Sequence, residues 1–457
     1  MSELPPPARR FSERRAAVVI SRDTMPGEYP AVVVGSGEPV PQGVLATAIG
    51  LHGGDRVVVL LARPDWPALV ELRSRRAGGG WWTVLGFAGP VDVADVLAEV
   101  ERQPVWRSDD RPREPYDVRT INPTGFVPTA DGPVVGLDDV PEVTPSAIDA
   151  LRGNAAVRVD RWDDAAAHRV LGLALAGVPV VADDAPAPWS ATTTAVDLAD
   201  PTAREERSVV LRRTAFAMLA PVRQPAVSIL LATRRAEMLD FALSQVARQR
   251  GVDDLELVLA PHGFDVDPAR VRELLGPTIG LQVRPHPSDT LFGDVLHDAA
   301  QAAGGDVLLK MDDDDWYAPD VVTDLMLARR WSGAEMVGMP AELHYVAERD
   351  LTVKRGHPVE LYAAFVAGGT MLVDRDALRE AGGFRAVRKW VDAQLIDAFQ
   401  QMGAAIYRTH GLGYVLRRNP TGHTWDVDLD YLLDPSRTVA TWPGFRPSRL
   451  LEAEALR

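Results

Sequence analysis

Not one cysteine occurs among the 457 residues, so disulfides, thiolate metal sites and a cysteine nucleophile are excluded together. Nowhere do about eighteen apolar residues run uninterrupted, so no membrane-spanning helix is expected. A surplus of positive charge is also missing: 49 Lys and Arg stand against 64 Asp and Glu, a formal net charge of -15. That balance argues against non-specific binding to nucleic acid or anionic membrane, both of which ask for a basic face, and leaves only local basic patches open. The opening MSELPPPARRFSERR is charged with no apolar core after it, which is not the pattern of a secretory signal. A cytoplasmic location fits these absences, and any work on lipid-linked material would be done peripherally, from the membrane surface.

What is present is the composition of a soluble globular chain, 46% hydrophobic and 25% charged, too long for one hydrophobic core. Short β-branched runs at 17–20, 31–34, 56–62 and 82–87, with a helix at 91–102, predict an irregular α/β domain. The text from 103 to 150 is proline-rich and polar and reads as long loops. Runs at 155–159 and 178–182 around a helix at 165–176 predict a β-α-β unit. Helical spacing at 203–219 ends in PVRQP, which sets the expected boundary between an accessory α/β domain, 1–220, and a second domain, 225–457. There, SILLATRR, LELVLAPHG, LQVRPHP and DVLLKM alternate with helical stretches at 239–250, 291–303 and 320–330. This alternation predicts a Rossmann-like, mostly parallel sheet with helices on both faces.

The last of those strands runs straight into four acids, VLLKMDDDDWYAP, with Pro319 opening the next helix. The strand's C-terminal end is where ligands bind in open α/β sheets. A solvated acidic turn that favours the helix N-terminus accounts for one or two of these charges. An EF-hand needs glycine at its sixth position and an acid at its twelfth; counted from Asp312 these are Tyr317 and Thr323, so that reading fails. Hard cations such as Mg²⁺ or Mn²⁺ take carboxylate oxygens, bridge to phosphates, and would offset the mutual repulsion.

SILLATRR, then LHDAAQAAGGDVLLKMDDDDWYAPD, then VAGGTMLVDRDALREAGGFRAVRKWVDAQL resemble successive blocks of GT-A fold glycosyltransferases, most closely the inverting family 2 enzymes, over residues 226 to about 426. The resemblance implies a catalytic domain at 225–457 that moves a hexose from a nucleotide-sugar to an acceptor hydroxyl with inversion. Asp312 and Asp314 match the DxD motif that holds Mn²⁺ or Mg²⁺ and contacts the donor's ribose or diphosphate, with Asp315 a further candidate. Gly368 and Gly369 match the loop on the acceptor side, Asp392 the general base, and His423 a metal ligand from the C-terminal segment. His410 is an alternative to His423.

Where such enzymes carry a Pro-Thr-Tyr-Asn-like phrase and an Asp-Asp-Gly-Ser-like phrase, this chain has Ala232-Thr233-Arg234-Arg235 and Ala260-Pro261-His262-Gly263. Thr233, Arg235 and His262 are therefore the expected replacement contacts to the donor nucleotide, with a UDP-sugar the default. The acceptor is a glycan, a lipid-linked molecule or another hydroxyl compound.

Chemically, the leaving diphosphate asks for a Lewis acid and the acceptor hydroxyl for one base. Asp392 shares a helix face with Leu395 and Ile396 and so points toward the core side or a cleft. Its ordinary alternative is a first-turn acid paired with Arg388 or Lys389. Trp316 and Trp425 either flank a sugar or pack in the core.

Two rivals stand beside this reading. One is a catalytically inactive GT-A-like scaffold; the other is a metal-dependent nucleotidyltransferase or phosphate hydrolase, and nucleotidyltransferases of this shape usually carry a Gly-rich loop that ATRRAEML lacks.

Three weaker phrases complete the reading. LGLALAGVPVVADD resembles a GT-B donor segment without its glutamate, an echo of a Rossmann-like fold. VVVGSGEPVPQG begins like a dinucleotide loop but has Val40 where the third glycine belongs. RSRRAGGG at 73–80 reads as a solvated helix end.

Overall fold

The computed structural model describes residues 18–21, 31–35, 56–62, 70–77, 80–87, 132–140, 143–151, 153–193, 199–219, 224–418 and 432–453. The expected helix at 91–102, the glycine turn after residue 35, His423 and Trp425 lie outside the described residues.

Five strands form a first sheet in the spatial order Val18–Ser21, Ala31–Gly35, Arg56–Ala62, Gly80–Phe87, Val70–Ala77. Its three central strands are parallel and its last two form an antiparallel hairpin. RSRRAGGG is therefore not a helix end: residues 73–77 finish the hairpin's outer strand, and Gly80 opens its partner.

A second, three-stranded parallel sheet joins Val134–Gly136, Ala156–Arg158 and Val180–Val181. The β-α-β unit is present, with helix Asp164–Leu175 between its strands and Asp163 capping that helix by accepting from the Ala166 N–H. The long-loop reading of 103–150 is corrected at its end, where strand Val134–Gly136 and helix Pro145–Leu151 belong to this layer. Three-residue strands are too short for alternation to show in sequence.

Helix Pro201–Met218 starts with Pro201 behind the Asp200 cap and fixes this layer to the rest of the molecule. Ser208 donates to the Gly177 carbonyl on one side. On the other, Arg212 pairs with Glu360 at 2.9 Å and Arg213 grips Asp324 with two bonds of 2.6 Å.

The main sheet has eight strands, in the order Gly280–Val283, Leu255–Pro261, Val227–Thr233, Val307–Met311, Met371–Asp374, Met336–Gly338, Ile406–Arg408, Leu361–Tyr362. Its first four strands are parallel, and Met371–Asp374 then enters antiparallel. Alternation sorts the side chains into two cores. Val227, Ile229, Leu231, Val307, Leu309 and Met311 pack against helices Leu239–Ala247 and Val321–Ser332 on one face. Leu230, Ala232 and Leu308 pack against helices Phe292–Ala302 and Val391–Gln401 on the other. The fold is α/β, with helices on both faces of a sheet that is parallel through the strands carrying the acidic run.

Candidate active site

The acidic run leaves the sheet at Met311, beside the C-terminal ends of Val227–Thr233 and Leu255–Pro261. Four neighbouring carboxylates are stable here because each meets a different partner. Asp312 takes the Lys310 ammonium at 2.6 Å, and its backbone N–H donates to Tyr317 Oη at 2.8 Å. Asp313 is buried, accepts from the Thr233 hydroxyl and is held on both oxygens by the Arg235 guanidinium. Arg235 gives its remaining nitrogen, Nη1, to Asp314 Oδ2 at 2.7 Å. Asp315, also buried, accepts from the Tyr414 hydroxyl and from the Arg417 backbone N–H at 2.8 Å.

Asp313 thus shares one cation with Asp314. Burial, then the Asp314 and Asp312 charges, push the Asp315 carboxyl well above the usual range. Burial also raises Asp314, against the pull of Arg235 and with Asp312 and Asp313 adding to the rise.

Lys310 is the residue that sequence reasoning passed over. It shares the Leu308 face of its strand, the side on which helix Val391–Gln401 packs, and only 3% of it is exposed. Its ammonium has three protons and three acceptors nearby: Asp312 Oδ1, the Gly368 carbonyl at 3.2 Å and Asp392 Oδ1 at 3.2 Å. The signal for it was a single lysine inside the apolar run VLLKM, since a buried ammonium needs counter-charges. Asp392, in the first turn of its helix, is thus joined to Lys310 and not to Arg388 or Lys389. Desolvation, with help from Asp312, raises its carboxyl against the pull of Lys310.

Gly368 and Gly369 sit between the two acids. A Cβ on Gly368 would fall inside the Asp392 carboxylate, and one on Gly369 would lie 2.5 Å from Tyr414 Oη and 2.9 Å from Asp312 Oδ2. Only glycine lets this loop pass so close. Tyr317 reinforces it by donating to the Gly369 carbonyl at 2.9 Å.

The remaining candidates fall elsewhere. His262 follows its strand buried, and burial followed by the Arg234 charge lowers its pKa, favouring the neutral ring. No hydrogen bond or ion pair among the described residues joins it to the acids. His410 is committed to Asp324 at 3.0 Å. Trp316 packs with Phe445, Tyr345 and Phe241 under the Arg417 guanidinium, 4.0 Å above its ring.

For a divalent cation the donor chemistry fits. Among the described residues nothing engages Asp312 Oδ2 or Asp314 Oδ1, so each acid keeps one hard oxygen free. Around the cleft Asp312, Asp313, Asp314, Asp315 and Asp392 outnumber Lys310, Arg235 and Arg417. No group of three acids or histidines already converges among the described residues, so the free oxygens would have to draw together.

No family model matches the chain, and no curated protein matches it. Among solved structures it is similar to the mannosyltransferase PcManGT from Pyrobaculum calidifontis, in complex with GDP-Man and Mn²⁺, at 18% identity and a TM-score of 0.35 over 44% of this chain and 59% of that one. It is also similar to residues 1–349 of S. aureus TarS in complex with UDP-GlcNAc, at 14% identity and a TM-score of 0.36 over 45% of this chain and 62% of that one. With a longer TarS structure the figures are 14% and 0.35 over 43% of this chain and 37% of that one. The chain thus spans less than two thirds of the length of each of these proteins.

Proposed function

We propose that residues 225–457 transfer a hexose from a nucleotide-diphosphate sugar to an acceptor hydroxyl with inversion, and that residues 1–220 form an accessory domain. One observation carries the reading: a single buried ammonium, Lys310, touches both Asp312 and Asp392 across a loop that only glycine can form. That arrangement brings Asp312 and Asp392 together at the C-terminal end of a parallel strand, which supports reading the first as the acid on the diphosphate side and the second as the base.

In this mechanism Asp392 accepts the acceptor hydroxyl's proton while Lys310 keeps its carboxylate oriented and countered in charge. Gly368 and Gly369 leave the space in which that hydroxyl approaches. Arg235, anchored on Asp313, presents Nη1 to the donor's diphosphate, and Thr233 fixes the anchor. His262 faces the donor's base as a neutral donor–acceptor ring, with UDP the default nucleotide. Mn²⁺ or Mg²⁺, held by Asp312 and Asp314 with His423, would supply Lewis-acid stabilisation of the leaving diphosphate.

A screen of nucleotide-sugars for Mn²⁺-stimulated hydrolysis tests this, since water replaces the missing acceptor. Turnover of at least one donor, lost in Asp392→Asn, is the expected result; no turnover of any donor overturns the reading. A non-catalytic scaffold has one observation in its favour, the pairing of Asp312 and Asp314 with internal cations. Nucleotide-sugar binding in calorimetry without any turnover would select it.

A further inference from the structure

Beside the candidate base runs a basic six-residue stretch with no acid in it, Arg385-Ala-Val-Arg-Lys-Trp390. Arg385, Arg388, Lys389 and Trp390 are all exposed, and the Trp390 ring is 66% exposed. Among the described residues Arg388 and Lys389 form no ion pair, and Arg385 only donates to the Gln394 side chain at 2.8 Å.

Trp390 also holds a left-handed backbone, φ 65°, at the N-cap of helix Val391–Gln401, where it makes no side-chain capping bond. A bulky residue is strained there, and glycine or asparagine would cap better. An exposed ring kept in a strained position earns nothing from folding, so its use lies in a contact outside the chain. Phe365, 48% exposed, borders the same helix near its other end: Gln400 donates to the carbonyl of its neighbour Ala364. The two exposed aromatic rings thus flank the helix that carries Asp392.

We infer that this edge, Arg385 to Trp390 together with Phe365, docks on an anionic lipid surface, so that the cleft opens toward acceptors held there. Indole at the headgroup level with cations beside it is the chemistry of an interfacial contact. Screening over roughly 8 Å at physiological salt lets the local cluster act despite the chain's overall negative charge. The link to acceptors rests on the function proposed above; the docking does not, because vesicle binding needs no turnover of a sugar donor.

The test is co-sedimentation of the full chain with phosphatidylcholine vesicles and with vesicles that also contain phosphatidylglycerol. Binding is expected only to the second kind and is expected to fall with added salt. Arg388→Gln with Lys389→Gln should weaken it about thirtyfold, from the usual contribution per cation at such a surface. Trp390→Gly, which relieves the strained backbone, should weaken it independently while the melting temperature holds or rises.

Absence of binding to the anionic vesicles, or binding unchanged in both variants, overturns the inference. So does displacement from the vesicles by millimolar inorganic phosphate at constant ionic strength, which would assign the cluster to a soluble phosphate-bearing acceptor instead.

Discussion

Two charged clusters in this molecule use the same residue types to opposite ends. Between helix Pro201–Met218 and the strands beyond it, Arg212, Glu205, Glu342, Lys354 and Glu360 are buried and closed over. Glu360 there also accepts from the Tyr407 and Thr409 hydroxyls at 3.1 Å, so its oxygens are spent inside the fold. At the end of strand Val307–Met311, Asp312 and Asp314 keep one oxygen each, and Gly368 lets the backbone pass close against Asp392. Counting charges would not separate the two clusters. What separates them is whether a strand end opens beside the oxygens left over: among the described residues Glu205 Oε1 and Glu342 Oε2 also lack a hydrogen-bond partner, but they are buried inside the fold.

The strongest way to sharpen that contrast is Asp392→Asn, which removes the proposed base while keeping its shape. Transfer should fall about a thousandfold with nucleotide affinity nearly unchanged; a variant with wild-type turnover would strip Asp392 of its role. Next, Arg212→Ala leaves Glu360 buried without its cation and should cost roughly 3 kcal/mol or more in a denaturant titration, with little change in turnover per folded molecule. A loss below about 1 kcal/mol would mean that the closed cluster does not hold the helix in place.

Gly368→Ala drives a methyl into the Asp392 carboxylate and should lower kcat roughly tenfold to a hundredfold while the chain stays folded. Equal loss of stability and activity would instead make the glycine a packing residue only.

The smallest effect concerns pH. Burial, then the Glu342 charge, push Glu205 up from 4.5 to about 8. The folded chain therefore binds a proton that the unfolded chain releases above 4.5, and this contribution to stability falls as pH rises between 4.5 and about 8. Glu205→Gln should flatten that slope in thermal melts recorded across the window. An unchanged slope would show that Glu205 ionises normally.

Much of the main sheet was legible in the sequence because its strands are buried on both faces. Uninterrupted apolar runs such as SILLAT and LELVLA, spaced by helical periods, leave few alternatives. The acidic run stood out by residue type and Asp392 by the family resemblance, and the structure brings Asp312 and Asp392 onto one ammonium. The pairings were not legible, because they join positions far apart in the chain: Arg235 to Asp313, Tyr414 to Asp315, Lys310 to Asp392. The hairpin strand at Val70–Ala77 and the three-residue strands near 134 were missed for a different reason, since neither carries an apolar period long enough to read.

By itself, then, the sequence determined the α/β class, the absence of thiol chemistry and the place of the acids at the end of a buried strand, since all three follow from composition and local period. Only the tertiary structure decided that Asp312 and Asp392 share one ammonium and that Gly368 is what lets them approach. It also decided that Arg212 and Arg213 of helix Pro201–Met218 pair with Glu360 and Asp324 inside the fold, while the acidic run stands at an open strand end. Ion pairing depends on distance in space, which local sequence does not encode.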